Sequence, residues 1–295
     1  MSLLSPLSPP PENLAAIAQQ LEGHLRSLTG PRDPYLHSGR YELAQRYICA
    51  ELSQYGSLTS QQFLVQARKH FNWQITIPGR KPALAPVLIG AHYDTVPGSP
   101  GADDNASGVA VLLSLAALLC DPLDRPRRSL HFVAFDLEEY GLVGSQVCAE
   151  SWRAQQKSLH LMLSLEMLGY FSSAPDSQQY PLPVLSRIYP STGNFIALIG
   201  NAATTLRMMA IKRHMKQVGM PCEWLPVIKQ GQQIPRTRDS DHAPFWDAGY
   251  PAMMVTDTAN LRSPHYHKAS DTLETLDIAA MAKITLGLAA SLRHM

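Results

Sequence analysis

Apolar residues follow two different spacings along this chain. In "NLAAIAQQLEGHL", Leu14, Ile17, Leu21 and Leu25 stand three or four apart, on one face of a helix. This spacing predicts helices over residues 12–29 and 38–55. "QQFLVQA" and "NWQITIPG" are short runs parted by a turn and predict a strand pair at a sheet edge. The runs that follow are apolar without alternation: "APVLIGAHYD", "SLHFVAFDLEE" (129–139), "LHLMLSLEMLGY" (159–170), "NFIALIGN" (194–201) and "PAMMVTDT" (251–258). Strands covered on both faces read this way. Helical stretches separate several of them: 105–120, "GSQVCAESWRAQ", "AATTLRMMAIKRHMKQVG" and a closing one over 274–294. Strand alternating with helix predicts a mostly parallel sheet with helices on both faces, an α/β fold. Two connections, 171–193 and 228–250, carry little periodicity. Loops this long in a compact domain usually wall or cover a site.

The chain has 295 residues, 45% of them hydrophobic, enough for one large domain over 12–295. "MSLLSPLSPPPENL" lacks the charged start and apolar centre of an export signal; residues 1–11 read as a disordered, Pro-rich leader, and the compartment stays open. With 25 basic against 24 acidic residues and no basic stripe, nucleic acid and anionic membranes are poor partners. The longest apolar run, "GVAVLLSLAALLC", is too short to span a bilayer and predicts a buried helix. Cys49, Cys120, Cys148 and Cys222 are scattered and form no zinc-knuckle pair; whether any are bridged is open.

The polar residues gather where strands end. Ligands of open α/β sheets sit outside the carboxyl ends of the strands. His92, Asp94, Glu138, Glu139 and Glu166 lie at or just past three such ends, Asp103 and Asp104 open the next helix, and His267 sits in a late loop. Each alone has an ordinary reading; Asp104 or Asn105, for example, would cap a helix. Together on one rim, so many acids repel one another without a cation. Carboxylates and imidazoles are ligands that zinc and other divalent metals take.

"HYDT…GADDNASG", "FDLEEYGLVGS", "SLEMLGY" and "SPHYHKASDT" resemble, in order and over residues 85–275, the motifs of the leucyl aminopeptidase-like family of co-catalytic di-zinc peptidases. The resemblance implies a three-layer α/β/α sandwich with a mixed, mostly parallel sheet. It implies two zinc ions, one held by His92 and Glu166, the other by Glu139 and His267, with Asp104 bridging them through a residue whose peptide bond to Asn105 is cis. Glu138 would be the general base and Tyr266 would help to hold the oxyanion. Asp94, Asp103, Asp241 and His242 would stand behind the ligands, Asp94 fixing the His92 ring. The implied substrate is a peptide with a free N-terminus. Tyr170, Phe171, Tyr189, Phe245 and Trp246 are candidate walls for its side chain. One position departs from the family's commoner pattern: Glu166 stands where aspartate is usual, which lengthens the side chain by one methylene. Two relatives of the family supply alternatives. A glutaminyl-cyclase-like enzyme uses one zinc and has tryptophan where this chain has Tyr266. A non-catalytic binding ectodomain has lost ligands, whereas every ligand position here is filled.

Overall fold

The structure, a computed structural model, describes residues 11–295. The leader expected over residues 1–11 lies outside them, except that Pro11 opens the first helix. Helices α1 (Pro11–Leu28) and α2 (Ser38–Ser53) come first, then the hairpin β1 (Thr59–Val65) and β2 (Arg68–Ile77). Its two turn residues, Gln66 and Ala67, have φ of 49° and 61°, the left-handed pair that suits a two-residue hairpin. There follow β3 (Val87–His92), α3 (Gly108–Leu119), β4 (Leu130–Phe135), α4 (Val143–Ala154), β5 (Leu161–Glu166), β6 (Ile196–Asn201), α5 (Thr205–Gln217), β7 (Cys222–Val227), α6 (His242–Asp247), β8 (Ala252–Thr256) and α7 (Ile278–His294).

The eight strands form one sheet in the order β1-β2-β4-β3-β5-β8-β6-β7. Its central four, β4, β3, β5 and β8, are parallel; β2 and β6 join them antiparallel, and β7 runs parallel to β6. The expected mixed, mostly parallel sheet between helical layers is therefore present. Alternation along β3 divides the core. Val87, Ile89 and Ala91 join the cluster built with α1, α2, α3, α5 and α7, while Leu88 joins the smaller one built with α4 and α6. His92 falls on the side of Leu88, at the strand's carboxyl end. Every residue of β3 and of β5 is buried, as their unbroken apolar runs predict.

The segment Ala102–Leu119 is long and apolar enough to cross a membrane, and 89% of it is buried inside the protein. Leu112, Leu113 and Leu115 of α3 are fully buried, each worth about 1.5–3 kcal/mol of transfer free energy. The helix starts at Gly108 and not at Asn105, because residues 102–107 form a wider turn. Asp104 and Asn105 leave helical geometry there, and the peptide bond between them is cis. A side chain at Gly108 would strike Asn105 and the Leu165 carbonyl, so only glycine lets α3 start this close to β5.

Two elements escaped the sequence reading. Strand β7, "CEWLPV", is half-buried and contains Pro226; an edge strand tolerates proline because one side of its ladder is unpaired. Helix α6 has six residues, with Pro244 inside, too short for any periodicity to show. All four cysteines are unpaired.

Candidate metal centre

Three parallel strand ends and one loop deliver the polar groups to one place. His92 closes β3 and Glu166 closes the neighbouring β5. Glu138 and Glu139 follow β4, and His267 lies between β8 and α7. Asp104 stands at the centre. Its Oδ1 is 3.3 Å from His92 Nε2 and its Oδ2 is 3.1 Å from His267 Nε2. His92 Nε2 also faces Glu166 Oε2 at 3.6 Å and Glu138 Oε2 at 3.9 Å. His267 Nε2 faces Glu139 Oε2 at 3.2 Å.

The donor atoms fall into two sets that share Asp104: His92, Asp104 and Glu166, and Asp104, Glu139 and His267, each set with its atoms within 4.8 Å of one another. A third grouping, His92 with Glu138 and Glu139, overlaps them. The chemistry of the sets suits divalent zinc, which takes imidazole nitrogen and carboxylate oxygen. Three buried atoms of the cluster residues, His92 Nε2, Asp104 Oδ2 and Glu139 Oε1, have no hydrogen-bond partner among the described residues. Buried polar atoms are rarely left so, and a cation would satisfy all three.

The charges respond strongly to one another. Burial alone would lower the His92 pKa, but the carboxylates of Glu138, Glu166, Asp104 and Asp94 outweigh it and hold the ring well above its usual range. His267 is likewise raised to about 10 against the effect of burial, by Asp104 and Glu139. Burial pushes Glu138 well up, partly offset by His92 and reinforced by Glu166 and Glu139. It pushes Glu139 up to about 7. Asp104 alone is drawn down, the two histidines overcoming its burial.

Asp94 does more than orient a ring. Its Oδ1 is 3.4 Å from His92 Nδ1, which directs Nε2 to the cluster. The same carboxylate accepts the backbone N–H groups of Glu138 (3.1 Å) and Glu139 (3.2 Å). One buried acid thus sets the histidine and both glutamates. The longer side chain of Glu166 is held by Ser240, which donates to Oε2 at 2.8 Å and also bonds Ser164, on the same face of β5. Asp103 turns away from the cluster and accepts from the Gly169 amide at 2.8 Å. Asp241 heads α6, where burial pushes its carboxyl up to about 7 in spite of His92. His242 donates to the Thr237 carbonyl at 2.8 Å and stands edge-on to Trp246, so it anchors a loop. Tyr266 stacks on the His267 ring, with centroids 3.8 Å apart.

Two residues of this scaffold were given no role from the sequence, although Asp271 lies inside the quoted "SPHYHKASDT". Asp271 accepts the amides of Asp103 (2.8 Å) and Asp104 (3.1 Å). Asp257 accepts those of Tyr170 and Ala259 just beyond β8; its place at a strand end is the cue that would have found it. Leu137, Met167 and His267 have φ of 55°, 48° and 58°. Left-handed backbone costs such residues free energy and clusters at functional sites.

The loop from Tyr93 to Gly101 is tied down from a distance. Arg32, 1% exposed, donates from Nε to the Tyr93 carbonyl, from Nη1 to those of Leu28, Gly30 and Pro100, and from Nη2 to that of Gly101. Its neighbour Asp33 accepts the Tyr140 hydroxyl, next to Glu139. Arg32→Met removes the donor from five backbone carbonyls and is expected to cost at least about 3 kcal/mol of stability. The urea midpoint, at unchanged m-value, measures the loss.

Of the five wall candidates, Tyr189 lines a cavity beside the cluster. Phe245 and Trp246 are instead buried in the α4–α6 core, since α6 turns them inward. Phe171 packs under the Arg262 guanidinium, and Tyr170 stands edge-on to His265.

A profile of Peptidase family M28 matches residues 72–292. The chain is 38% identical over 223 residues to YfbL of Escherichia coli (strain K12), an alignment covering 70% of this chain and 66% of that protein. It is 30% identical over 234 residues to Leucine aminopeptidase 1 of Trichophyton equinum, covering 74% and 56%. It thus spans just over half to about two thirds of these relatives. Among solved structures it resembles LapB from Legionella pneumophila, with a TM-score of 0.71 at 20% identity over 99% of this chain and 78% of that one. It also resembles Porphyromonas gingivalis glutaminyl cyclase, with a TM-score of 0.65 at 17% identity over 95% and 97%.

Proposed function

Since the chain belongs to peptidase family M28, we propose that it is an aminopeptidase that hydrolyses the N-terminal peptide bond with the help of two zinc ions. The observation that carries this reading is the pair of donor sets joined by Asp104, one completed by His92 and Glu166, the other by Glu139 and His267. When bound there, divalent zinc would supply Lewis acidity toward the scissile carbonyl and toward water.

The remaining work falls to the protein. Glu138, its side chain 11% exposed, brings Oε2 to 3.9 Å from His92 Nε2. Its carboxylate takes the proton of the attacking water and passes it to the departing amine. Asp94 keeps that carboxylate in place by gripping the two amides behind it. The Tyr266 hydroxyl, raised in pKa by burial and by the surrounding acids, stays protonated and donates to the developing oxyanion. The acids around Asp104 and Glu139 favour a substrate that brings an amino group to the cluster.

The fold alone is compatible with a glutaminyl-cyclase-like reaction, but a single-zinc reading leaves one of the two donor sets without a task. A blocked N-terminus tests the choice. Acetylating a good peptide substrate is expected to lower kcat/KM at least about a hundredfold, since a charge-assisted contact is lost. Equal rates on blocked and free peptides would indicate an endopeptidase, and ring closure of N-terminal glutamine would indicate the cyclase.

A further inference from the structure

The sheet edge away from the metal-binding groups is basic. Strands β3, β4 and β5 run parallel and start on this edge, and β6, antiparallel to β8, ends on it. Four connections meet there: 78–86 before β3, 120–129 before β4, 155–160 before β5, and 202–207 from β6 into α5. Hydrogen bonds join them. The amides of Arg80 and Lys81 donate to the carbonyls of Pro126 and Arg127, both at 2.9 Å, and the His160 amide donates to that of Pro86 at 2.8 Å. Arg128 Nη1 donates to the Ala85 carbonyl at 2.8 Å, and Arg207 Nε to His160 Nε2 at 3.3 Å.

These segments carry Arg80, Lys81, Arg125, Arg127, Arg128, Lys157 and Arg207 against Asp121 and Asp124, in a chain of net charge +1. The residues come from separate stretches, which is why the sequence shows no basic stripe. Both acids are occupied: Asp124 by Arg293 at 2.9 Å, and Asp121 by the Leu123 amide at 2.8 Å. None of the seven basic residues forms an ion pair among the described residues. Their crowding is felt locally. Burial lowers the Arg128 pKa, and the charges of Arg127 and Arg207 lower it further. His160 is lowered to about 4, by burial first and then by Arg207, Arg128 and Arg127. Two large apolar side chains stand free on the same edge. Leu123, in the 120–129 loop, is 95% exposed, and Leu206, in the first turn of α5, is 79% exposed.

We propose that this edge docks on the surface of an anionic lipid bilayer, without any part of the chain crossing it. The arginines and lysines meet the headgroups, and Leu123 and Leu206 enter the boundary between headgroups and acyl chains. The leucines decide the partner. A nucleic acid would meet the same arginines and gain nothing from exposed apolar side chains. The six-residue strand β3 separates the two edges of the sheet by about 20 Å. A docked protein therefore turns its metal-binding rim away from the membrane, toward dissolved peptides. Docking requires nothing of the reaction at that rim.

The test is co-sedimentation of the full chain with vesicles of phosphatidylcholine, either pure or mixed with phosphatidylglycerol, at low and high salt. We expect binding to the mixed vesicles only, and weaker binding as salt screens the charges. Lys81, Arg125 and Arg127 are exposed, so the triple variant Lys81→Gln, Arg125→Gln, Arg127→Gln keeps the fold. It should bind about a hundredfold more weakly, at about fivefold per charge. Leu123→Ser keeps every charge and should weaken vesicle binding at least about fivefold. Unfolding of both variants at the wild-type temperature checks that they are folded. Equal binding to pure phosphatidylcholine, or no binding to either vesicle at low salt, would overturn the proposal. Tighter binding to a DNA duplex, left unchanged by Leu123→Ser, would also overturn it and make the edge a nucleic-acid surface.

Discussion

Glu138→Gln should retain its zinc and lose at least about a hundredfold in kcat, the loss typical of removing a general base. The two neighbouring glutamates are separated by their partners. Glu139 faces His267 at 3.2 Å within a complete donor set, whereas Glu138 lies 3.9 Å from His92. Both amides are held by Asp94, so the backbone of the variant has no reason to move. Glutamine keeps the shape and cannot accept the proton. Glu139→Gln should behave in the opposite way, with metal content falling and excess zinc restoring part of the rate. Elemental analysis alongside kcat separates the two. Near-normal turnover by Glu138→Gln would exclude it as the base and leave the third donor grouping, in which Glu138 binds metal, to be considered.

Asp104→Asn should cost the protein most of its metal at both positions and activity by at least about a thousandfold. The wild-type protein, stripped with a chelator and reloaded, should take up two equivalents of zinc. Asp104 offers one oxygen to each histidine at 3.3 and 3.1 Å, and no other side chain belongs to both donor sets. Removing its charge also removes what offsets His92 and His267, since those rings are raised in part by Asp104. A wild-type plateau at one equivalent would contradict the two-zinc reading. An Asp104→Asn protein that still held two ions would remove Asp104 from its bridging place.

The strand ends were legible in the sequence because burial writes itself as apolar runs. A run such as "LMLSLEM" also announces where the first charged residue will stand, and the structure does bring His92, Asp104, Glu138, Glu139, Glu166 and His267 together. The supports were not legible, because their role depends on the fold. Arg32 meets the Tyr93 carbonyl 61 positions away, and Asp271 meets the amide of Asp103 across 168. No local pattern encodes such distances. Ser240 shows the same limit at Glu166: the methylene that sets this chain apart is accommodated by a hydroxyl 74 positions on. Phe245 and Trp246 looked like pocket walls because their segment was read as a loop, whereas one short helix reverses their direction.

The five carbonyls gathered by Arg32 tie the end of the first helix to the loop between His92 and Asp104. Leu21, Leu25 and Leu28 of α1 are buried against the same core as α3 and α7, and the chain enters the Arg32 turn directly from them. The family-matched span begins only at residue 72, so a protein cut to that span would keep every proposed zinc ligand and still lack the guanidinium that secures the loop between His92 and Asp104. Heat inactivation should therefore follow the release of α1 and precede melting of the sheet. Engineering for heat resistance would gain most on the surface between α1 and α7, two helices that carry none of the proposed zinc ligands.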